Sequence, residues 1–200
     1  HYLAWKQTAD EIGAYFDEQI NNRLRGVSRR QSLEIILESY SGRLSEAEKT
    51  YYTEKKNELY RSLLKNMSPA DVTAEVKETL DQIKAKGILM AIGSSSKNAK
   101  FILKQIGLED YFDAISDGTN ITHSKPDPDV FLKASRCLGV EPQFCLVVED
   151  AQSGIEAALA AKMACAAIGD GTRYNLAHYN LQRFSDLLLI LRIKDMDITT

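Results

Sequence analysis

One segment in the second half of the chain joins a short apolar run to two adjacent carboxylates and then to a helical pattern. The apolar run 144–148 leads directly into Glu149 and Asp150, and the apolar spacing resumes over residues 155–159. Because that spacing of three and four residues suits one helix face, the segment predicts a buried strand, an acidic turn and a helix. Ligands of open α/β sheets collect at the carboxyl ends of the strands, which is where both acids would lie.

Two explanations account for adjacent carboxylates at such a position. Glu149 and Asp150 repel each other, and a hard cation such as Mg²⁺, which prefers oxygen ligands, would compensate for their charge. Alternatively, the two acids only favour the positive end of the following helix dipole. The segment alone leaves both explanations open.

The composition indicates a globular protein with a hydrophobic core. The 200 residues are 44% hydrophobic and 26% charged, which suits one or two domains. A net charge of −3 and the lack of a basic tract argue against nucleic acid as a partner. No apolar run approaches the roughly 20 residues that a membrane span needs, and no signal peptide is visible. We therefore expect a cytoplasmic monomer with no membrane partner.

The first third of the chain is predicted to be entirely helical. Over residues 1–66 apolar residues recur three and four apart, and nothing alternates with a period of two. Ser28 and Ser45 each begin a capping-box pattern, and Gly13 and Gly42 fit helix stops. The predicted helices are one ending near Ile12 and three over residues 16–24, 29–40 and 46–65.

From about residue 67 onward, strand patterns and helix patterns alternate. Strands are predicted over 88–92, 112–116, 144–148 and 164–168, with helices over 74–86, 97–106 and 128–138 and after the acidic turn. Alternation of this kind implies a parallel sheet that is covered by helices on both faces. The expected fold class is therefore α/β.

Two further polar features follow predicted strands. Ser94, Ser95 and Ser96 come after the first strand and could bind an anion, although Ser96 could equally be only a helix N-cap. Lys125 lies in the loop after the second strand and could hold a phosphate, or be an ordinary solvated lysine. With the paired acids they would meet at one rim of the sheet, a combination that suits phosphoryl transfer.

As a set, these motifs resemble those of the haloacid dehalogenase-like phosphotransferases. The matching features are Ser94 at a strand end, Lys125 before Pro126, and the acidic pair before Gly154. The resemblance implies a Rossmann-like parallel core over residues 67–200 with an all-helical cap over residues 1–66. It also implies Mg²⁺ held by Glu149 and Asp150, and a small sugar phosphate as the substrate.

Within that superfamily, the cap resembles that of the β-phosphoglucomutase family at residues 25–29 and at Lys56-Asn57. The implied activity is the interconversion of β-glucose 1-phosphate and glucose 6-phosphate through an aspartyl-phosphate and a sugar bisphosphate. A sugar-phosphate phosphatase and a non-catalytic phosphosugar-binding protein are the alternatives. Ser94 and Lys125 would be catalytic. The implied substrate contacts are His1, Trp5, Gly26, Val27, Ser28, Arg29, Lys56, Asn57, Ser95, Ser96, Lys97 and Asn98.

The aspartyl nucleophile of the family, and the acid/base aspartate two residues after it, have no counterpart in the sequence. In the family both lie on a central strand upstream of the cap, whereas Asp195-Met196-Asp197 lies at the other end of this chain. Loss of that strand would leave two strand edges unpaired, which sheets rarely tolerate, so we expect about 20 further residues before His1. The 200 residues alone are predicted to be inactive, because positioning cannot replace a nucleophile.

Overall fold

The computed structural model describes residues 1–191. The sequence-derived motif at Asp195 lies outside these residues. Helices form the first part: α1 (Tyr2–Ile12), α2 (Glu18–Arg23), α3 (Arg29–Leu37) and α4 (Glu46–Leu64). The rest alternates as α5 (Ala74–Ala85), β1 (Ala91–Gly93), α6 (Ala99–Gln105), β2 (Ala114–Ser116), α7 (Asp129–Leu138), β3 (Leu146–Glu149), α8 (Gln152–Ala160), β4 (Ala164–Ile168) and β5 (Tyr179–Leu181). None of the helices formed by residues 1–191 has the length and apolar character needed to cross a membrane.

The helices of the first part begin where the capping signals predicted. The hydroxyl of Ser28 accepts the Gln31 N–H, and that of Ser45 accepts the Glu48 N–H, with the reciprocal bond in each case. Gly13 ends α1 in the left-handed conformation, with φ of 78°. These three signals are confirmed because each depends only on neighbouring residues.

The predicted helix stop at Gly42 is wrong. Helix α3 already ends at Leu37, and the Tyr40 N–H bonds to the Leu37 carbonyl in a turn. A side chain on Gly42 would meet the ring of Tyr40 at 2.5 Å. Gly42 therefore leaves room for a tyrosine ring rather than ending a helix.

Helices α1 to α4 enclose a hydrophobic core of their own. Its largest buried side chains are Trp5, Leu33 and Ile36, each no more than 2% exposed. Because these side chains come from α1 and α3, burying them fixes how the two helices pack together. We call residues 1–66 the cap and residues 67–191 the core.

The core strands pair in parallel, as predicted, and form two small sheets. Strand β1 pairs with β2, with Ile92 opposite Ile115. Strand β4 lies between β3 and β5, with Val147 of β3 opposite Cys165. The three-residue strand β5 was not predicted, because it is too short to show a period of two.

The two sheets share the helices that cover them. Val130 and Phe131 of α7, which packs on β1 and β2, belong to one core with Val147 of β3. On the other face, Ile83 of α5 packs in a cluster that holds both Met90 and Val148. Within residues 1–191, β1 and β3 do not pair with each other, and no strand pairs with both of them. The sheets are thus two parts of one layer, each with an unpaired inner edge.

Candidate active site

A cavity of about 1430 Å³ lies between the cap and the core. Its lining includes every residue that the sequence nominated. The cap contributes His1, Trp5, Gly26, Val27, Ser28, Arg29, Lys56 and Asn57, and the core contributes Ser94, Ser95, Ser96, Lys97, Asn98, Lys125, Glu149 and Asp150. The structure therefore gathers residues that lie up to about 150 positions apart in the sequence, as the convergence of parallel strand ends requires.

Hydrogen bonds to its serine hydroxyls fix the conformation of the loop after β1. The Ser94 hydroxyl accepts the Ser96 N–H at 3.1 Å, and the Ser96 hydroxyl accepts the Asn98 N–H at 3.1 Å. The Ser95 hydroxyl accepts the backbone N–H of Lys125 at 3.3 Å, which ties this loop to the next one. The N-cap of α6 is Asn98 rather than Ser96, so the simple N-cap explanation for Ser96 is wrong.

Lys125 is a buried ion-pair partner, and the solvated-lysine alternative is wrong. It is only 5% exposed, its ammonium donates to the Gly93 carbonyl at 3.1 Å, and it pairs with the Glu149 carboxylate. Glu149 also accepts the backbone N–H groups of Asp150 and Ala151. Both charges of the pair are therefore compensated, which burial of an ion pair requires.

Gly154 is required for the position of Glu149. A side chain on Gly154 would lie 2.1 Å from the carboxyl carbon of Glu149. Only a glycine at the start of α8 lets that carboxylate approach so closely.

Asp150 lies on the cavity rim and forms an ion pair with the cap. Its Oδ2 accepts from Arg25 Nη2 at 2.5 Å, while Arg25 Nη1 donates to Asp170 Oδ2 at 2.7 Å. Burial opposes the charged form of Arg25, but the hydrogen bonds to Asp170 and Asp150 raise its pKa. Asp150 is thus fixed by a cation rather than by the helix dipole alone.

The carboxylate oxygens of Glu149 and Asp150 are of the ligand type that Mg²⁺ prefers. Residues 1–191 contain no cluster of three or more His, Cys, Asp and Glu side chains arranged to hold a metal ion. However, Mg²⁺ keeps several water ligands and binds proteins through one or two carboxylates plus substrate phosphate. Asp150 lines the cavity, and its Oδ1 makes no hydrogen bond within the described part of the chain, so one oxygen of the required type is available.

The cap wall of the cavity holds a buried lysine without an acidic partner. Lys56 is 3% exposed, with Nζ 3.0 Å from His1 Nδ1 and 4.7 Å from the ring centroids of both Trp5 and Tyr60. Burial, with a smaller effect of the nearby charge of Arg29, lowers the pKa of Lys56 to about 7. The two aromatic rings supply the compensation that a buried ammonium needs.

Arg29, on the same wall, is half-buried. Burial lowers its pKa, and Glu54 acts in the opposite direction. Within residues 1–191 its guanidinium forms no ion pair or hydrogen bond with a carboxylate. Since an arginine stays protonated, the cap wall presents a cation to which an anionic ligand could bind directly.

Two hydrogen bonds join the cap to the core across the mouth of the cavity. Asn98 Nδ2 donates to Asn57 Oδ1 at 2.9 Å, and the Ser153 hydroxyl donates to the Arg25 carbonyl at 2.8 Å. Gly26 has φ of 78°, and a side chain there would lie 2.2 Å from Ser153 Oγ. The cap loop is therefore docked on the start of α8 in this structure.

Sequence reasoning missed several residues of this site, namely Arg25, Tyr60, Ser153 and Asp170. Arg25 adjoins the nominated loop 26–29, so its position was an available signal. Ser153 stands directly before Gly154 of the acidic motif but was given no role, and Asp170 carries no local motif; only the packing of α8 and the turn after β4 brings them to Arg25.

Comparisons with known proteins agree with this architecture. A family profile described as haloacid dehalogenase-like hydrolase matches residues 2–168. The chain belongs to this family. It is 39% identical over 194 residues to a β-phosphoglucomutase of Bacillus subtilis, covering 96% of this chain and 85% of that protein. It is 32% identical over 165 residues to a phosphorylated carbohydrates phosphatase of Thermotoga maritima, covering 80% and 73%.

A solved structure gives the same picture for the fold. The crystal structure of a β-phosphoglucomutase from Clostridium difficile superimposes with a TM-score of 0.90 at 33% identity, and the match covers all of this chain and 92% of that one. This chain therefore has the same α/β fold, with a Rossmann-like core, as that protein.

Proposed function

We propose that this haloacid dehalogenase-like protein is a β-phosphoglucomutase, which interconverts β-glucose 1-phosphate and glucose 6-phosphate. The observation that carries the proposal is the charge of the cavity: Arg29 and Lys56 line it from the cap and form no ion pair within residues 1–191, and Lys125 lies at the core end. A sugar with a phosphate at each end would neutralise both walls. The similarity to the Bacillus subtilis enzyme selects the glucose phosphates from among such sugars.

The core residues would hold the transferring phosphate. Ser94 and Ser95 present hydroxyls at the end of β1, and Lys125 places a fixed ammonium between Gly93 and Glu149. Such a preorganised cation favours the charge that develops on a transferring phosphoryl group. On the cap side, Arg29 would bind the distal phosphate, and His1, Lys56 and Asn57 would contact the sugar.

Glu149 and Asp150 would hold Mg²⁺, with Glu149 kept in place by Lys125 and Asp150 by Arg25. When bound, the ion would neutralise charge on the phosphoryl group and orient it for in-line transfer. The protein's part is to keep the acidic turn fixed, which the Lys125 pair and Gly154 achieve.

The nucleophile would come from a further strand between β1 and β3. Each acid of the core wall within residues 1–191 is already engaged: Glu149 by Lys125, Asp150 by Arg25, and Asp127 by the Asp129 N–H. A strand seated between the two unpaired inner edges would end beside Lys125, which touches the ends of both β1 and β3. An aspartate there would accept and return the phosphoryl group.

The decisive test, made on a chain that includes the further strand, is an assay that couples glucose 6-phosphate formation from β-glucose 1-phosphate to NADP reduction, with Mg²⁺ and a trace of the bisphosphate as primer. Formation of glucose 6-phosphate without stoichiometric inorganic phosphate is expected. A second candidate, a sugar-phosphate phosphatase, is favoured by the similarity to the Thermotoga maritima enzyme. Release of inorganic phosphate with no isomerised sugar would select it, and sugar-phosphate binding with neither product would select a non-catalytic role.

A further inference from the structure

Within residues 1–191, Arg25 is the single side chain whose ion pairs join the cap to two separate turns of the core. Its guanidinium pairs with Asp150 after β3 and with Asp170 after β4, while its own carbonyl accepts the Ser153 hydroxyl. The two ion pairs use different nitrogens, Nη2 and Nη1, so they form at the same time. We call Arg25, Asp150, Asp170 and Ser153 the Arg25 clasp.

The position of Asp170 is built into the core. It lies between Gly169 and Gly171, and a side chain on Gly171 would lie 2.9 Å from the Glu149 carbonyl and 3.1 Å from Cα of Asp150. The turn after β4 therefore packs directly on the acidic turn. This packing places Asp170 beside Asp150, where one guanidinium can reach both carboxylates.

The two carboxylates differ in what else they can do. Asp150 lines the cavity and retains Oδ1 for other use, whereas Asp170 is outside the cavity lining and has Arg173 as its other partner, at 3.3 Å. If Asp150 turns toward a ligand, Arg25 keeps its bond to Asp170 and the cap loop keeps its bond to Ser153. The cap loop can therefore stay bound to the core while Asp150 contacts a ligand.

We propose that Arg25 is a positioning residue that holds the cap loop shut through Asp170 and Ser153, and so determines whether the phosphoryl group passes to a sugar hydroxyl or to water. This rests on the proposed mutase function. A loosened clasp admits water to the cavity, and water then competes with the sugar as the acceptor.

The test compares Arg25→Met and Asp170→Asn with the wild type in the full-length protein. Both variants keep side-chain size but remove one or both ion pairs. The matched control is Glu38→Gln, which breaks the Arg23–Glu38 pair of 2.7 Å, an arginine–carboxylate pair lying wholly within the cap. The first readout is the ratio of inorganic phosphate released to glucose 6-phosphate formed. The second is amide hydrogen exchange over residues 25–29.

We expect both readouts to rise about fivefold in Asp170→Asn, more in Arg25→Met, and to stay unchanged in Glu38→Gln, as loss of partly exposed ion pairs implies. An unchanged product ratio would overturn the proposal, whether or not exchange increases. If the wild type makes no glucose 6-phosphate, the proposed function fails and exchange alone decides about the clasp. Faster exchange confined to the two clasp variants then supports it, and equal exchange in all proteins overturns it.

Discussion

At the scale of single residues, the cavity contains charges that serve ligand binding but lower the stability of the folded protein. Within residues 1–191, Lys56 is buried among aromatic rings and forms no ion pair, and Arg29 is half-buried with no carboxylate bound. Charged groups lose hydration on burial, so both residues destabilise the cap when no ligand is bound. The rings of Trp5 and Tyr60 offset part of the cost for Lys56, and an anionic ligand in the cavity would offset more of it.

Replacing Lys56 by methionine is expected to stabilise the protein near neutral pH. Because burial lowers the pKa of Lys56 to about 7, the unfolded chain binds more protons than the folded chain from about pH 7 to 10.5. The penalty is therefore fully present below pH 7 and fades as the pH rises through that window. After allowance for the lost cation–π contacts, we expect Lys56→Met to gain about 2 kcal/mol near pH 6.5.

Urea unfolding of both proteins, followed by circular dichroism near pH 6.5 and near pH 9.5, measures this difference. The gain should shrink at the higher pH. A variant that is less stable than the wild type near neutral pH would show that the rings of Trp5 and Tyr60 more than compensate the buried charge.

The contributions of Lys125 and Glu149 to the free energy of unfolding should be coupled rather than additive. Lys125→Met leaves the buried Glu149 carboxylate without its cation, and we expect a loss of about 3–5 kcal/mol in the free energy of unfolding. The double variant Lys125→Met, Glu149→Gln should recover most of that stability, because no uncompensated charge remains. Denaturant titration of the two single variants and the double variant gives the coupling, and additive losses would refute it. None of the three should regain activity.

At the scale of elements, docking of the cap loop depends on glycine at position 26. Gly26→Ala would place a side chain 2.2 Å from Ser153 Oγ, so we expect kcat/KM to fall about tenfold as the loop is displaced. Ser153→Ala added to it should restore part of the loss, since Ser153 Cβ would be 3.6 Å away, an ordinary contact. Steady-state kinetics of the single and double variants tests this.

Gly13→Ala is the matched control for that experiment. Gly13 has the same φ of 78°, but a side chain there would meet nothing within 4 Å. Both alanine variants should therefore lose about 1 kcal/mol of stability from backbone strain, while only the change at position 26 slows the reaction. Equal kinetic losses in the two variants would mean that backbone strain, not docking, explains the effect.

Elements were predictable from the sequence where their signals are local. The end of α1, the boundaries of α4 and the whole of β4 follow from capping residues and apolar spacing. The strand predicted over 144–148 instead begins at Leu146, because Pro142–Phe144 forms a 3₁₀ turn, and the helix predicted from residue 128 has Pro128 as its N-cap. Boundaries that depend on tertiary packing could not be read locally.

The same limit applies to the site. Ser94, Lys125 and the acidic pair were predictable because each follows a strand, and the cap residues because they resemble a family motif. The partners that hold them, Asp170 for Arg25 and Gly154 for Glu149, are set by how turns pack together. The cytoplasmic location, the monomeric state and the domain boundary near residue 66 stay predictions.

At the scale of the whole molecule, the division of the core sheet is the feature with the largest consequence. Strands β1 and β3 lie under the same helices, yet within residues 1–191 their inner edges pair with no strand. Unpaired backbone groups at an apolar edge are costly, so a strand that filled the gap would stabilise both sheets. The same strand would place an acid beside Lys125. The segment that completes the sheet would therefore also complete the active site.

We therefore expect the 200-residue polypeptide by itself to form no glucose 6-phosphate, and a longer chain with one more strand ending in an aspartate to be active. Amide exchange provides a measure that does not depend on turnover. Those N–H groups of residues 91–92 and 146–148 that point to the inner edges should exchange rapidly in the 200-residue polypeptide and at least about tenfold more slowly in the longer chain, because the added strand would bond to both edges. Residues 164–168 of β4, which pair on both sides in either chain, are the internal control. Turnover by a polypeptide with an intact mass of 22.4 kDa would refute the missing-strand hypothesis, as would equal exchange at the inner edges.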